Sequence, residues 1–163
     1  MIASEVPPNI QLREFSRDDL PIFFEQQLDP EANWMAAFTA KDPTDKQAFE
    51  MHWEKILADP GITIRTILYN DNVAGSVLCH SWYGKPEISY WLGKEFWGKG
   101  IATHGLALFL EVMTLRPLYA MVVKDNLGSI CVLEKNGFEL SGEDKWYSNA
   151  REKEMEELVW ELK

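Results

Sequence analysis

Basic residues are scarce in this chain. Sixteen Lys and Arg stand against 26 Asp and Glu, a formal net charge of −10 over 163 residues. Holding a polyphosphate backbone takes a basic face, so the composition argues against a nucleic-acid partner. It suits a cationic acceptor such as an amine, although net charge speaks first to solubility and steering. Long apolar runs are missing too. The longest uncharged stretch, Asn72 to Gly84, is too short and too polar to span a bilayer, so no membrane partner is expected. The opening Met1-Ile-Ala-Ser-Glu-Val-Pro-Pro lacks the basic and apolar segments of a secretion leader. There are only two cysteines, Cys79 and Cys131, far apart in sequence. Such a pair reads as reduced thiols in the cytoplasm, not as a disulfide framework. Three histidines, His52, His80 and His104, fit no metal-ligand or triad spacing, and no metal is expected.

What is present is an ordinary globular composition, 46% hydrophobic and 26% charged, with no repeat, linker or low-complexity stretch. One domain over residues 1–163 is expected. Aromatics are plentiful, with seven Trp and eight Phe, most of them core candidates and some able to line a groove.

Ile10–Phe15 alternates as a strand, and Ser16–Leu28 carries N-cap candidates and an early Pro before a first helix. Asp29–Asp45 reads as irregular, with a helical turn possible at Trp34–Phe38. Thr44–Ala58 is predicted helical, with Phe49, Trp53, Ile56 and Leu57 at core spacing. Ile62–Tyr69 and Val73–Tyr83 flank Asn70-Asp-Asn72 as a hairpin, and Glu87–Leu92 is a further strand. A long helix over Gly100–Thr114, a strand at Pro117–Val123 and a helix at Asn126–Asn136 ended by Gly137 follow. Phe138–Tyr147 and Glu154–Leu162 close the chain as a hairpin. The order β-α-α-β-β-β-α-β-α-β-β implies an α/β domain with a mixed, mostly antiparallel sheet flanked by helices.

The segment Phe96-Trp97-Gly98-Lys99-Gly100-Ile101-Ala102-Thr103 sits between a strand and a helix. Glycines let a backbone approach an anion closely, and the first helical turn aims free N–H groups at it. Lys99 adds a mobile positive charge, and Thr103 a hydroxyl. Gly93-x-x-x-x-Gly98-Lys99 falls one residue short of a nucleotide P-loop, because Gly100 stands where Ser or Thr would hold Mg²⁺. Gly98-x-Gly100-x-x-Thr103 is one residue from a dinucleotide fingerprint, with Asp125 after the next strand, yet too little chain follows for a second nucleotide-binding half. A turn without ligand is the remaining local reading.

Four motifs in order decide among these: Tyr90-Trp91-Leu92, Phe96–Thr103, Asn126-Leu-Gly-Ser129 and Leu133-Glu-Lys-Asn-Gly-Phe138. Together they resemble the GNAT acetyltransferase superfamily, in particular the branch of the ribosomal-protein N-terminal acetyltransferases. The resemblance implies a single GNAT domain and acetyl-CoA as co-substrate. The amides of Gly98 to Thr103 would hold the pyrophosphate, with Trp97 to Ala102 as the cofactor loop. The edge at Trp91 and Leu92 would pair with the pantetheine arm, Asn126 would hydrogen-bond it, and Ser129 would lie near the thioester sulfur. It places the acceptor groove between Trp34, Met35 and Phe38 on one side and Trp146 and Tyr147 on the other. Dimers are common in the family.

Acetyl transfer to an amine needs a base, an oxyanion site and a protonated leaving thiol. Glu87, sharing a strand face with Ser89 and Trp91, is the candidate base. Leu133 stands where many GNAT enzymes carry an acidic Tyr, so Ser129 is the candidate acid. His80 is an acceptor-side candidate near the cleft, while His52, His104 and Cys131 read as packing or border residues. Glu152, Glu154, Glu156 and Glu157 read as a solvated hairpin face. The reaction so implied is acetyl transfer from acetyl-CoA to a primary amine of a small molecule or protein N-terminus. A non-catalytic acyl-CoA sensor is the alternative.

Overall fold

The computed structural model describes residues 9–163, so the leader reading of residues 1–8 lies outside them. Seven strands form one sheet: β1 Ile10–Glu14, β2 Thr63–Tyr69, β3 Asn72–His80, β4 Glu87–Leu92, β5 Leu118–Val123, β6 Glu139–Ser148 and β7 Lys153–Leu162. Their order is β1-β2-β3-β4-β5-β7-β6. All neighbours run antiparallel except β4 and β5, which are joined in parallel through helix α4, Ile101–Val112. The mixed, mostly antiparallel sheet expected from the sequence is therefore present, with β7 inserted between β5 and the edge strand β6.

Helix α4 and helix α5, Leu127–Lys135, cover one face of this sheet. Leu106 and Phe109 of α4 and Leu133 of α5 pack there against Ile88, Leu118, Ala120 and Leu158, all at most 8% exposed. Helix α1, Leu20–Gln27, and helix α3, Lys46–Ala58, cover the other face over β2 and β3. Phe23, Phe49, Trp53 and Ile56 meet Ile64 and Leu78 in that second core. Asp19 pins the start of α1: buried, it takes both terminal nitrogens of Arg13 at 2.8 and 2.6 Å and the Thr66 hydroxyl at 2.7 Å. Burial alone would raise its pKa, but those hydrogen bonds and the Arg13 charge hold it below the ordinary carboxylate value.

The segment read as irregular contains a helix, α2, at Pro30–Ala36. Asp29 caps it by accepting from the N–H groups of Glu31 and Ala32, with Pro30 at the first helical position. The helix stops at Ala37, whose φ of 66° leaves the helical region, so Phe38 lies beyond it. A short 3-10 turn at Lys94–Phe96 was also not foreseen; it carries the chain from β4 to the glycine-rich loop.

Strands β4 and β5 share a single register pair, Glu87 with Tyr119. Beyond it they splay, and the β4 edge from Ile88 to Leu92 lacks a ladder partner on that side. Its other edge is fully paired to β3, from His80 against Glu87 to Gly75 against Leu92. Gly75 is needed there, because a Cβ would lie 1.9 Å from the Trp91 carbonyl oxygen.

Candidate active site

The splay opens into a cavity of about 500 Å³. Tyr90, Trp91 and Leu92 of β4 form one wall, and Asn126, Ser129 and Val132 of α5 form the other. Trp97, Gly98, Gly100, Ile101, Ala102 and Thr103 close its end, and Ala32, Met35 and Ala36 of α2 flank it. Every expected cofactor residue lines this cavity except Lys99, which is exposed on the loop beside it.

The loop is built for an anion. Gly98 and Gly100 hold φ values of 74° and 75°, the left-handed region that a side chain strains. Gly100 is the N-cap of α4, and no side chain caps the first-turn N–H groups, which therefore remain free. Trp97 folds back through its indole N–H to the Leu92 carbonyl at 3.2 Å. The Thr103 carbonyl accepts from the Asn136 amide at 3.1 Å, fixing α4 against α5. A run of free amides beside an unpaired strand edge fits a pyrophosphate followed by a peptide-like arm.

Asn126 caps α5, its side-chain oxygen accepting from the Ser129 N–H at 3.2 Å. That leaves the amide nitrogen of Asn126 as a donor at the cavity wall. Ser129 is not the cap. Its hydroxyl instead meets the Tyr90 hydroxyl at 2.6 Å across the cleft. Burial pushes the Tyr90 phenol up to about 12, with the Ser129 contact pulling the other way. Tyr90 was not singled out from the sequence; it belongs to β4 and Ser129 to α5, and only the fold joins them.

Glu87 points away from the cavity's helix-covered side, since Ile88 and Tyr90 alternate with it on β4. It is half-buried, and desolvation raises its pKa. On the same face stands a second carboxyl that the sequence reading left among solvated hairpin residues. Glu157 of β7 pairs with Val123 of β5 and Asp144 of β6. Its pKa is raised to about 7, first by burial, then by the negative charges of Glu87 and Asp144, with a Trp146 contact opposing. The readable signal was the period-2 row Met155, Glu157, Val159 beside the exposed Glu154 and Glu156. So Glu87 and Ser129 lie on opposite faces of the sheet, on either side of the splay.

The expected acceptor walls need correction. Trp146 pairs with Met155 and Tyr147 with Glu154, so strand alternation turns the two rings to opposite faces. Only Trp146 shares the face of Glu157. Trp34, half-exposed, lies under the Arg151 guanidinium at 4.9 Å, and its carbonyl accepts from Arg151 Nε at 2.9 Å. Arg151 also grips Asp125 through both oxygens at 2.5 and 2.8 Å. Phe38 lies outside the cavity lining, where Met35 stands instead. His80 shares the Glu87 face but is buried, stacked on Trp82 at 4.9 Å, with Nδ1 accepting from the Trp82 N–H. Burial lowers its pKa, and Asp59 only partly offsets this, so it packs as a neutral ring. Among the described residues no helix is long and apolar enough to cross a membrane, and no group of side chains could hold a metal ion.

The fold recurs in solved acetyltransferases. RimJ of Mycobacterium smegmatis, in complex with CoA-disulfide, superposes with a TM-score of 0.77 at 20% identity, over 94% of this chain and 81% of that one. Spermidine N-acetyltransferase from Vibrio cholerae, in complex with CoA and spermine, gives 0.74 at 19%, over 92% of each chain. The Salmonella typhimurium enzyme that modifies the N-terminal serine of ribosomal protein L7/L12 gives 0.76 at 18%, over 94% of each. No curated protein matches the sequence. The acetyltransferase (GNAT) domain family matches residues 9–139, most of the chain. With the splayed strands and the free helix N-terminus in place, the chain belongs to the GNAT acetyltransferase family, acetyl-CoA-dependent N-acetyltransferases.

Proposed function

We propose that this enzyme moves the acetyl group of acetyl-CoA directly to a primary amine, carried by a small molecule or a protein N-terminus. One observation carries the reading. The β4–β5 splay runs from an uncapped helix N-terminus to a point with half-buried carboxyls on one face and a paired hydroxyl on the other.

In this reading the amides of Gly98 to Thr103 take the pyrophosphate, and the free edge of β4 takes the pantetheine arm, with Asn126 donating to it. The acceptor approaches from the Glu87 face. An alkylamine is charged at neutral pH, and exposing its lone pair costs about 4.6 kcal/mol for a pKa near ~10.4. Two carboxyls that raise one another's pKa are suited to that task. Whichever is ionised draws the ammonium in, and a group titrating near neutrality can accept its proton. Glu87 is the base in this scheme and Glu157 its partner. The β4 edge N–H groups support the oxyanion. Ser129, on the other face, gives a proton to the departing sulfur. Cys79 is buried and Cys131 exposed, both unpaired, which fits a reducing compartment such as the cytoplasm.

Thiol release tests this. The chain with acetyl-CoA should liberate free thiol in proportion to an added primary amine. A panel of amino acids, polyamines and short peptides with free N-termini then defines the acceptor. Tight acetyl-CoA binding with no thiol release across the panel would leave the non-catalytic sensor as the better reading.

A further inference from the structure

The contact between Tyr90 and Ser129 has a direction. The Tyr90 hydroxyl lies 2.6 Å from Ser129 Oγ and 3.3 Å from the Ser129 carbonyl oxygen. A carbonyl can only accept, so the phenolic proton that serves both oxygens belongs to Tyr90. Ser129 Oγ is then an acceptor in this bond, and its own hydrogen is left to point elsewhere. Both residues line the cavity, and Ser129 N–H is already held by Asn126. We infer that Tyr90 is a positioning residue for the transfer: it fixes the rotor of Ser129 so that the serine proton faces the thioester sulfur in the cavity.

The inference rests on the proposed role of Ser129 and deepens it. As the carbon–sulfur bond breaks, its electron pair goes to sulfur, and Ser129 Oγ gives its proton to that sulfur. The serine oxygen left behind gains negative charge. The Tyr90 O–H then becomes a charge-assisted donor at a length typical of such bonds. Tyr90 keeps its proton throughout, because burial holds the phenol neutral far above physiological pH. Water entering as the thiol leaves restores the serine proton. The chain has Leu133 at the place of the family's usual tyrosine, fully buried in the core, so this paired hydroxyl supplies what that position does not.

The test is Tyr90→Phe, which keeps the ring against Val77 and removes only the donor. With acetyl-CoA its kcat should fall about tenfold to a hundredfold, the range for a hydrogen bond to a charged group. KM for acetyl-CoA should stay within about twofold. Two further readouts separate positioning from mere structure. With an acetyl thioester of an aryl thiol, whose thiolate leaves without a proton, the loss in Tyr90→Phe and in Ser129→Ala should shrink to about twofold. The double variant should be no slower than Ser129→Ala alone. Should Tyr90→Phe fold poorly, 3-fluorotyrosine at position 90 keeps the ring and strengthens the donor, and should retain full turnover. Wild-type kcat in Tyr90→Phe, a loss that persists with the aryl thioester, or a loss that multiplies with Ser129→Ala would each overturn the inference. Absence of thiol release in the wild-type chain would instead overturn the proposed activity.

Discussion

Glu157 should weaken the fold at the pH where the enzyme works, and replacing it with Gln should reveal by how much. Its carboxyl titrates at 4.5 when unperturbed and at about 7 in the folded chain. The folded state therefore binds this proton more tightly than the unfolded one between those values. Stability falls as pH rises through that window, the penalty being absent below about 4.5 and complete above about 7. At about 1.36 kcal/mol per tenfold change in proton affinity, the full penalty is roughly 3 kcal/mol. Glu157 keeps some solvent contact, which screens this to about 1–2 kcal/mol. Glu157→Gln removes the ionisation and keeps the shape. Its thermal midpoint should match the parent's near pH 4.5 and exceed it by about 3–6 °C at pH 8, given about 2–4 °C per kcal/mol at this size. Calorimetric melts at four pH values suffice. A difference that does not change with pH, or that is larger in acid, would refute the placement of Glu157 beside Glu87 and Asp144.

Three further outcomes follow from the same geometry. Glu87→Gln should lower kcat/KM by about 10²-fold or more, the usual worth of a general base, and remove the acidic limb of its pH profile; an unchanged limb would take the base role from Glu87. Gly100→Glu should abolish acetyl-CoA binding in a titration, since it strains a φ of 75° and sets a negative charge at the helix N-terminus. Asp19→Ala should cost about 3–5 kcal/mol in denaturant unfolding by stranding Arg13 and Thr66, and stability should also drain from the parent as pH falls below about 4, because Asp19 titrates low in the fold; a cost under about 1 kcal/mol would show the cluster to be solvated.

Much of the fold was legible because its signals are local. Asn70-Asp-Asn72 forms the β2–β3 turn as read, with Asn70 and Asp71 at φ values of 47° and 67°. The glycine-rich loop and the long apolar helix after it were recognisable from spacing alone. Helix α2 was missed although Asp29-Pro30 is a helix start, because its few residues show no apolar period. The site was only half legible. Loop and strand-edge residues are contiguous in sequence, so a motif can carry them. The Tyr90–Ser129 contact spans 39 residues, and the Glu87 and Glu157 carboxyls meet through a sheet order that places β7 beside β5. Glu157 was hidden by its neighbours: in a run of carboxylates only strand register tells the inward one from the solvated ones. Trp146 and Tyr147 failed as a pair for the same reason, adjacent in sequence and opposite in space.

The central claim is that the Gly98–Thr103 loop and the free edge of β4 bind acetyl-CoA. Calorimetric titration of the chain with acetyl-CoA, alongside NADH and ATP, tests it most directly. The account predicts saturable one-site binding of acetyl-CoA and none of the other two. Binding of NADH or ATP in its place, or no binding at all, would contradict it.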